Sequence, residues 1–200
     1  FGHISTFSFY PNKQITTGEG GMVFTNDESI KTRCKSLRNL CFQKGNRFVH
    51  KELGWNYRMT NLQAALGIAQ LERLDSTIKK KVKNGKIYDN YLKNLNHIKL
   101  PLEKTSYAEN IYWVFGVLLN PDIGIAKEIM EKLGRLNIGT RPFFYPMHKQ
   151  PIFEEMGIFE NKYFPVSEYL FNQGFYLPSS IGLKKEIIKL ISKKLKYVLR

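Results

Sequence analysis

Residues 4–24 place two short apolar runs on either side of a polar turn that carries one lysine, and this leaves the start of the chain little choice of local fold. Ile4, Phe7 and Phe9 lie upstream, and Met22, Val23 and Phe24 lie downstream. Between them runs Tyr10-Pro11-Asn12-Lys13-Gln14-Ile15-Thr16-Thr17-Gly18-Glu19-Gly20-Gly21, dense in residues that favour turns. The pattern predicts strands over residues 4–9 and 22–25 with the lysine turn between them. Lys13 then has two readings. It is a solvated turn residue, or it is an amine withdrawn from water, whose pKa burial lowers so that it can react with a carbonyl compound. Spacing alone leaves both open.

The rest of the chain alternates helix and strand patterns, the signature of an α/β protein. Asn26 or Asp27 can cap a helix over residues 28–40, and residues 41–56 lack a period and read as a long loop. Thr60 and Gln63 form a capping-box pair. Leu62, Ala65, Leu66 and Ala69 behind them predict a buried stripe on a helix that continues to Leu95, with a bend at Gly85. A helix of that length suits a bridge between two domains, here residues 1–95 and 96–200. Strands are expected at 111–119 and 138–144, and helices at 126–136 and 167–173, the second stopped by Gly174. A loop with short helical pieces is expected over 146–164. A last helix over 184–199 puts Ile187, Ile188, Ile191, Leu195 and Val198 on one face.

Composition narrows the function classes. The 200 residues are 42% apolar and 24% charged, ordinary for a globular protein and unlike a disordered one. No apolar run approaches the ~20 residues of a membrane helix, and no basic-then-apolar leader is visible. The two cysteines offer no disulfide framework, so a cytoplasmic setting is expected. The four histidines and two cysteines never reach metal-ligand spacing. The net charge of +14 admits nucleic-acid binding, yet the lysines gather at 79–81, 83, 184–185, 189, 193–194 and 196, where they read as solvated helix faces.

Several segments, in order, carry a resemblance. Ser8-Phe9, Lys13 and Thr17-Gly18-Glu19-Gly20-Gly21 resemble the cofactor-lysine signature of the DegT/StrS family of pyridoxal-phosphate-dependent sugar-nucleotide aminotransferases. Gly54-Trp55-Asn56-Tyr57-Arg58-Met59-Thr60-Asn61, Thr140-Arg141-Pro142-Phe143-Phe144-Tyr145-Pro146-Met147-His148 and Leu177-Pro178-Ser179 follow in family order. The resemblance implies the C-terminal portion of a type I, aspartate-aminotransferase-like α/β fold. Residues 1–95 would end the large cofactor-binding domain, including the bridging helix, and residues 96–200 would form a small α/β domain. The start at Phe1 fits the C-terminal half of a longer enzyme, and this fragment alone is expected to be inactive.

The resemblance also implies roles. Lys13 would form the Schiff base with pyridoxal 5′-phosphate and shuttle the proton. The Ser8 hydroxyl would bind the cofactor phosphate, and Asn56 would reach the cofactor of a neighbouring subunit in a homodimer. Arg58, Arg141, Tyr145 and His148 would contact substrate, the last three through the segment closest to the family's perosamine-forming branch. The implied activity moves an amino group from L-glutamate to a 4-keto-6-deoxy sugar nucleotide, giving a 4-amino sugar nucleotide for surface glycans, with no nucleic-acid or membrane partner. The alternatives are a sugar dehydratase, whose family members carry histidine at the lysine position, and a catalytically silent regulatory relative.

Overall fold

A computed structural model of the chain describes residues 2–43, 45–46 and 48–200. It divides into two compact units, Phe1–Ser76 and Thr77–Arg200.

In the first unit, β1 (Ser5–Ser8) and β2 (Gly21–Phe24) pair antiparallel, with Ser5 opposite Phe24 and Ser8 opposite Gly21. Asp27 caps α1 (Glu28–Leu37) by accepting from the Ser29 and Ile30 N–H groups at 2.7 and 3.0 Å. The Ser29 hydroxyl, with those two N–H groups, holds the Asp27 carboxyl below the usual carboxylate range. The capping box forms at α2 (Asn61–Leu71): Thr60 Oγ1 accepts from Gln63 N at 3.2 Å, and Gln63 Oε1 accepts from Thr60 N at 2.9 Å.

Two expectations change here. The long helix is broken at Glu72 and Arg73, where the last bond shortens to Arg73 N–Gln70 O, and it restarts as α3 (Leu74–Leu92). Gly85 stays inside α3. The apolar stripe of α2 is also not buried: Leu62 is 86% and Leu66 44% exposed. Among the described residues of this unit only Thr17 and Cys41 are buried, so the unit offers no buried core to receive the stripe.

In the second unit β3 (Ile98–Lys99), β4 (Phe115–Leu119), β5 (Arg141–Pro142) and β6 (Gly174–Leu177) form an antiparallel sheet in the order β3-β4-β6-β5. With it go most of α3 and the helices α4 (Ala126–Arg135), α5 (Pro151–Glu155), α6 (Pro165–Gln173) and α7 (Lys185–Val198). Phe115, Val117 and Leu119 alternate inward along β4 and meet Phe175 and Leu177 of β6. Ile129 and Leu133 of α4 and Ile188, Ile191 and Leu195 of α7 complete the core, while Ile187 stays 43% exposed. Tyr88 and Leu92 of α3 are fully buried in the same cluster. That packing groups most of α3 with the second unit, so the chain divides at Ser76, whereas the sequence pattern divides it after residue 95.

The expected strands shrink for local reasons. Tyr112 adopts φ +51°, which interrupts extended backbone before Phe115. Pro142 lacks the N–H that would continue β5. Gly174, read as a helix stop, is also the first residue of the central strand β6.

Lys81 overturns the reading of the lysine runs as wholly solvated, because it is only 8% exposed. The β4–β6 ladder reaches Phe115 opposite Leu177, and Pro178 has no N–H to extend it. The carbonyls beyond are met from α3. Lys81 Nζ donates to Trp113 O at 2.7 Å and Ser179 O at 2.5 Å, Asn84 Nδ2 to Ser180 O at 3.1 Å, and Tyr88 Oη to Pro178 O at 2.7 Å. Burial pushes the Lys81 amine down and the Tyr88 phenol up from their ordinary pKa values.

Candidate active site

The lysine turn is an ordered extension of the β1–β2 hairpin. Phe9 N donates to Gly20 O at 2.9 Å, and Phe9 O accepts from Thr17 N at 3.0 Å and Thr16 Oγ1 at 2.8 Å. Inside this frame Lys13 N donates to Tyr10 O at 3.0 Å, and Tyr10 N donates to Ser8 Oγ at 3.3 Å. The backbone N–H and C=O of Tyr10 therefore link the Ser8 side chain to the Lys13 backbone. The Ser8 oxygen accepts from the backbone, which leaves its own hydrogen to donate to an anion. Lys13 is half-buried and Ser8 exposed. Gly20 has φ +142°, and a Cβ there would lie 2.7 Å from Thr17 Oγ1, so the turn closes only with glycine.

One face of α2 holds this turn. Gln63 Nε2 donates to Glu19 O at 3.0 Å, and Gln70 Oε1 accepts from Thr16 N at 3.2 Å. Between them Gly67 lies against the Thr17 methyl. Positions 63, 67 and 70 follow the i, i+4, i+7 spacing of one helix face. Neither glutamine figures in the sequence expectation as a site residue. The capping box pointed to Gln63, but its second bond, to Glu19 O, depends on a contact 44 residues away in sequence. Beside Lys13, Gln14 Nε2 is buried with no hydrogen-bond partner among the described residues.

Asn56 and Arg58 form a second cluster in the same unit. Trp55 N donates to Leu37 O at 2.7 Å and Tyr57 N to Arg38 O at 3.0 Å, so this segment lies along the end of α1. Both side chains are exposed, and Arg58 Nε donates to Asn56 Oδ1 at 2.8 Å. With its oxygen engaged, the Asn56 amide presents its NH2 group as a donor.

Arg141, Tyr145 and His148 belong to the second unit. Arg141 is exposed, and Tyr145, at 45% exposed, meets Phe171 edge-on at 5.0 Å. His148 differs: it is 8% exposed, with Nε2 2.9 Å from Glu168 Oε1 and its ring 4.8 Å from Phe164.

The model of the DegT/DnrJ/EryC1/StrS aminotransferase family matches residues 1–196. The chain is 40% identical over 191 residues to a GDP-perosamine synthase of Vibrio cholerae, covering 94% of this chain and 51% of that protein. It is 39% identical over 186 residues to the GDP-perosamine synthase of Escherichia coli O157:H7, covering 93% and 49%. The chain thus spans about half the length of the curated relatives it matches. Among solved structures, PseC of Helicobacter pylori, an aminotransferase involved in the biosynthesis of pseudoaminic acid, superposes with a TM-score of 0.89 at 24% identity. That match covers 100% of this chain and 54% of that one, and it shows a shared α/β aminotransferase fold.

Proposed function

The chain belongs to the DegT/DnrJ/EryC1/StrS aminotransferase family, and we propose that it is the lysine-bearing half of a pyridoxal-phosphate-dependent enzyme that aminates a sugar nucleotide. The amino donor is L-glutamate and the acceptor a 4-keto-6-deoxy sugar nucleotide, giving a 4-amino sugar nucleotide for glycan assembly. The observation that carries this reading is the lysine turn itself, where the backbone of a half-buried Lys13 and the Ser8 hydroxyl are both bonded to the backbone of Tyr10.

The donor set fits the cofactor. Lys13 offers an amine, Ser8 and Asn56 offer donors for a phosphate, and the buried Gln14 amide beside Lys13 has an N–H without a partner among the described residues. Pyridoxal phosphate, when bound, supplies an aldehyde carbon and a ring that accepts electrons. With that group bound, the Lys13 amine would hold its aldehyde carbon and, when the amino donor's own amine takes that place, would be the base free to take and return a proton. Glu19 O and Thr16 N, gripped from α2, keep the turn from moving while it does so. Asn56, oriented by Arg58, serves a neighbouring copy, which makes the enzyme a homodimer with shared sites in the cytoplasm.

The test is borohydride reduction of the enzyme containing this chain, loaded with pyridoxal phosphate, followed by peptide mapping. The label should land on Lys13 and vanish in Lys13→Ala. A label on another lysine, or none, would sink the assignment. A glutamate half-reaction that fails in the unreduced, cofactor-loaded enzyme, where reduction does label Lys13, would remove the amino-transfer step alone.

A further inference from the structure

The segment 141–148 divides its side chains between solvent and the interior in a way that separates substrate contact from support. Phe143 turns inward. Its N–H donates to Gly174 O at 3.1 Å, its ring stacks on Tyr176 at 4.7 Å, and it occupies the space beside Gly116 and Gly174 that a Cβ at either position would fill. Phe143 is half-buried, and Pro146 and His148 are buried. Arg141 points to solvent, and so do Phe144, 75% exposed, and Tyr145, 45% exposed. Arg141 forms no ion pair among the described residues.

The far end of the segment is fastened to α6. Phe164, Glu168 and Phe171 stand at i, i+4 and i+7, and they meet the His148 ring, His148 Nε2 and the Tyr145 ring in that order. A carboxylate only accepts hydrogen bonds, so at 2.9 Å Nε2 carries the hydrogen and donates it to Glu168 Oε1. That atom is committed to the protein.

We propose that His148 is a positioning residue: clasped by Glu168, it holds the segment so that Arg141, Phe144 and Tyr145 face the sugar nucleotide, and it does not touch the substrate itself. This rests on the amino-transfer function proposed above. The chemistry of the outward set suits a nucleoside diphosphate, with a guanidinium for phosphate oxygens and flat rings for a base or sugar face. Phe144 joins the substrate set, and His148 leaves it.

The experiment uses the enzyme containing this chain, with His148→Ala, His148→Gln, Glu168→Ala and Phe144→Ala. One readout is KM for sugar nucleotide and for glutamate, and the other is amide exchange over residues 143–149. His148→Ala and Glu168→Ala should each raise the sugar-nucleotide KM about tenfold, the scale of one hydrogen bond to a charged group. Glutamate KM should stay unchanged and exchange over 143–149 should rise. The double variant should be no worse than either single one, and His148→Gln, which keeps an N–H donor, should recover most of the loss. Phe144→Ala should raise the same KM without altering exchange. A raised KM in His148→Ala with unaltered exchange would mean direct substrate contact and overturn the proposal, and so would raised exchange with an unaltered KM. If the unsubstituted enzyme transfers no amino group, the proposed function fails, and unaltered exchange in His148→Ala would still overturn the clasp.

Discussion

The ring of Tyr112 sits where a side chain at position 85 would be: a Cβ built on Gly85 would lie 2.5 Å from Tyr112 Cδ2 and 2.6 Å from Cδ1. Tyr112 is 4% exposed and stacks at 6.0 Å on Phe115, which in turn stacks at 4.6 Å on Tyr88 of α3. The absent side chain at Gly85 thus lets α3 approach the start of β4 closely enough to seal that end of the core. Gly85→Ala should destabilise the Thr77–Arg200 unit by about 1–3 kcal/mol, the usual cost of overpacking, although alanine is the better helix former. Adding Tyr112→Ala should remove the clash, so the double variant should be more stable than the two single losses summed. Urea melts of the four proteins check this, and strict additivity would rule out the contact as the cause.

The donors at the end of the β4–β6 ladder predict an alkaline limb of stability. Burial raises the Tyr88 pKa above its ordinary 10.0, so the unfolded chain releases that proton first. Tyr88 therefore contributes stability fully below pH 10, and the contribution drains away as pH rises beyond it. Lys81 runs the other way. Its pKa lies below 10.5, so the folded state sheds the proton first and the cost of burying its charge lessens as pH rises toward that value. Melting temperatures of the second unit between pH 8 and pH 11 should fall less steeply in Tyr88→Phe. Tyr112 and Tyr176, also raised by burial, keep part of the fall. At neutral pH Tyr88→Phe should cost about 1 kcal/mol for the lost bond to Pro178 O. An unchanged alkaline slope would show that Tyr88 does not govern it.

The two ends of the Gln63 amide serve different partners, Oε1 accepting from Thr60 and Nε2 donating to Glu19 O, and substitution can part them. Gln63→Glu keeps an oxygen for Thr60 N but loses the N–H given to Glu19 O, whereas Gln63→Ala loses both. Amide exchange should rise at residues 18–21 in both variants. It should rise at residues 62–64 only in Gln63→Ala, whose lost capping interaction costs about 1 kcal/mol. Equal exchange at the turn in all three proteins would mean that α2 does not hold the lysine loop.

Legibility followed the range of the signals. The hairpin strands, the Asp27 and Thr60 caps and helices α4 and α7 rest on neighbours within four residues or on helical period, and the sequence pattern places each of them. Strand β6 does not announce itself, because Gly174 reads as a stop and the four residues Gly-Phe-Tyr-Leu are too few to show alternation. Lys81 looks solvated in a run of three lysines. Its burial depends on carbonyls 32 and 98 residues away. At the candidate site Lys13, Ser8, Asn56 and Arg58 are marked by motif; in the structure Ser8 and the Lys13 N–H each bond to the Tyr10 backbone, and Arg58 donates to Asn56. The inward turn of His148 depends on where Phe143 lodges and on Glu168, and a pattern of residue types along one segment carries neither.

The two units should not open together. Beyond Thr17 and Cys41, no described residue of Phe1–Ser76 is buried, and it leaves Phe7 56%, Val23 49%, Leu62 86% and Leu71 57% exposed. The core cluster of fully buried aromatic and aliphatic side chains lies entirely in Thr77–Arg200. Since hydrophobic burial is the main favourable term, the first unit of this 200-residue chain has far less holding it closed. Both cysteines report on it, because Cys34 is half-buried and Cys41 is 1% exposed. A thiol reagent should modify Cys41 at urea concentrations where the amides of Val117 and Leu195 remain protected. The exposed strand and helix faces should also bind an apolar dye at urea concentrations too low to release those amides. If Cys41 stays unreactive until Val117 and Leu195 exchange, the units unfold as one, and the exposed faces of the first unit do not weaken it.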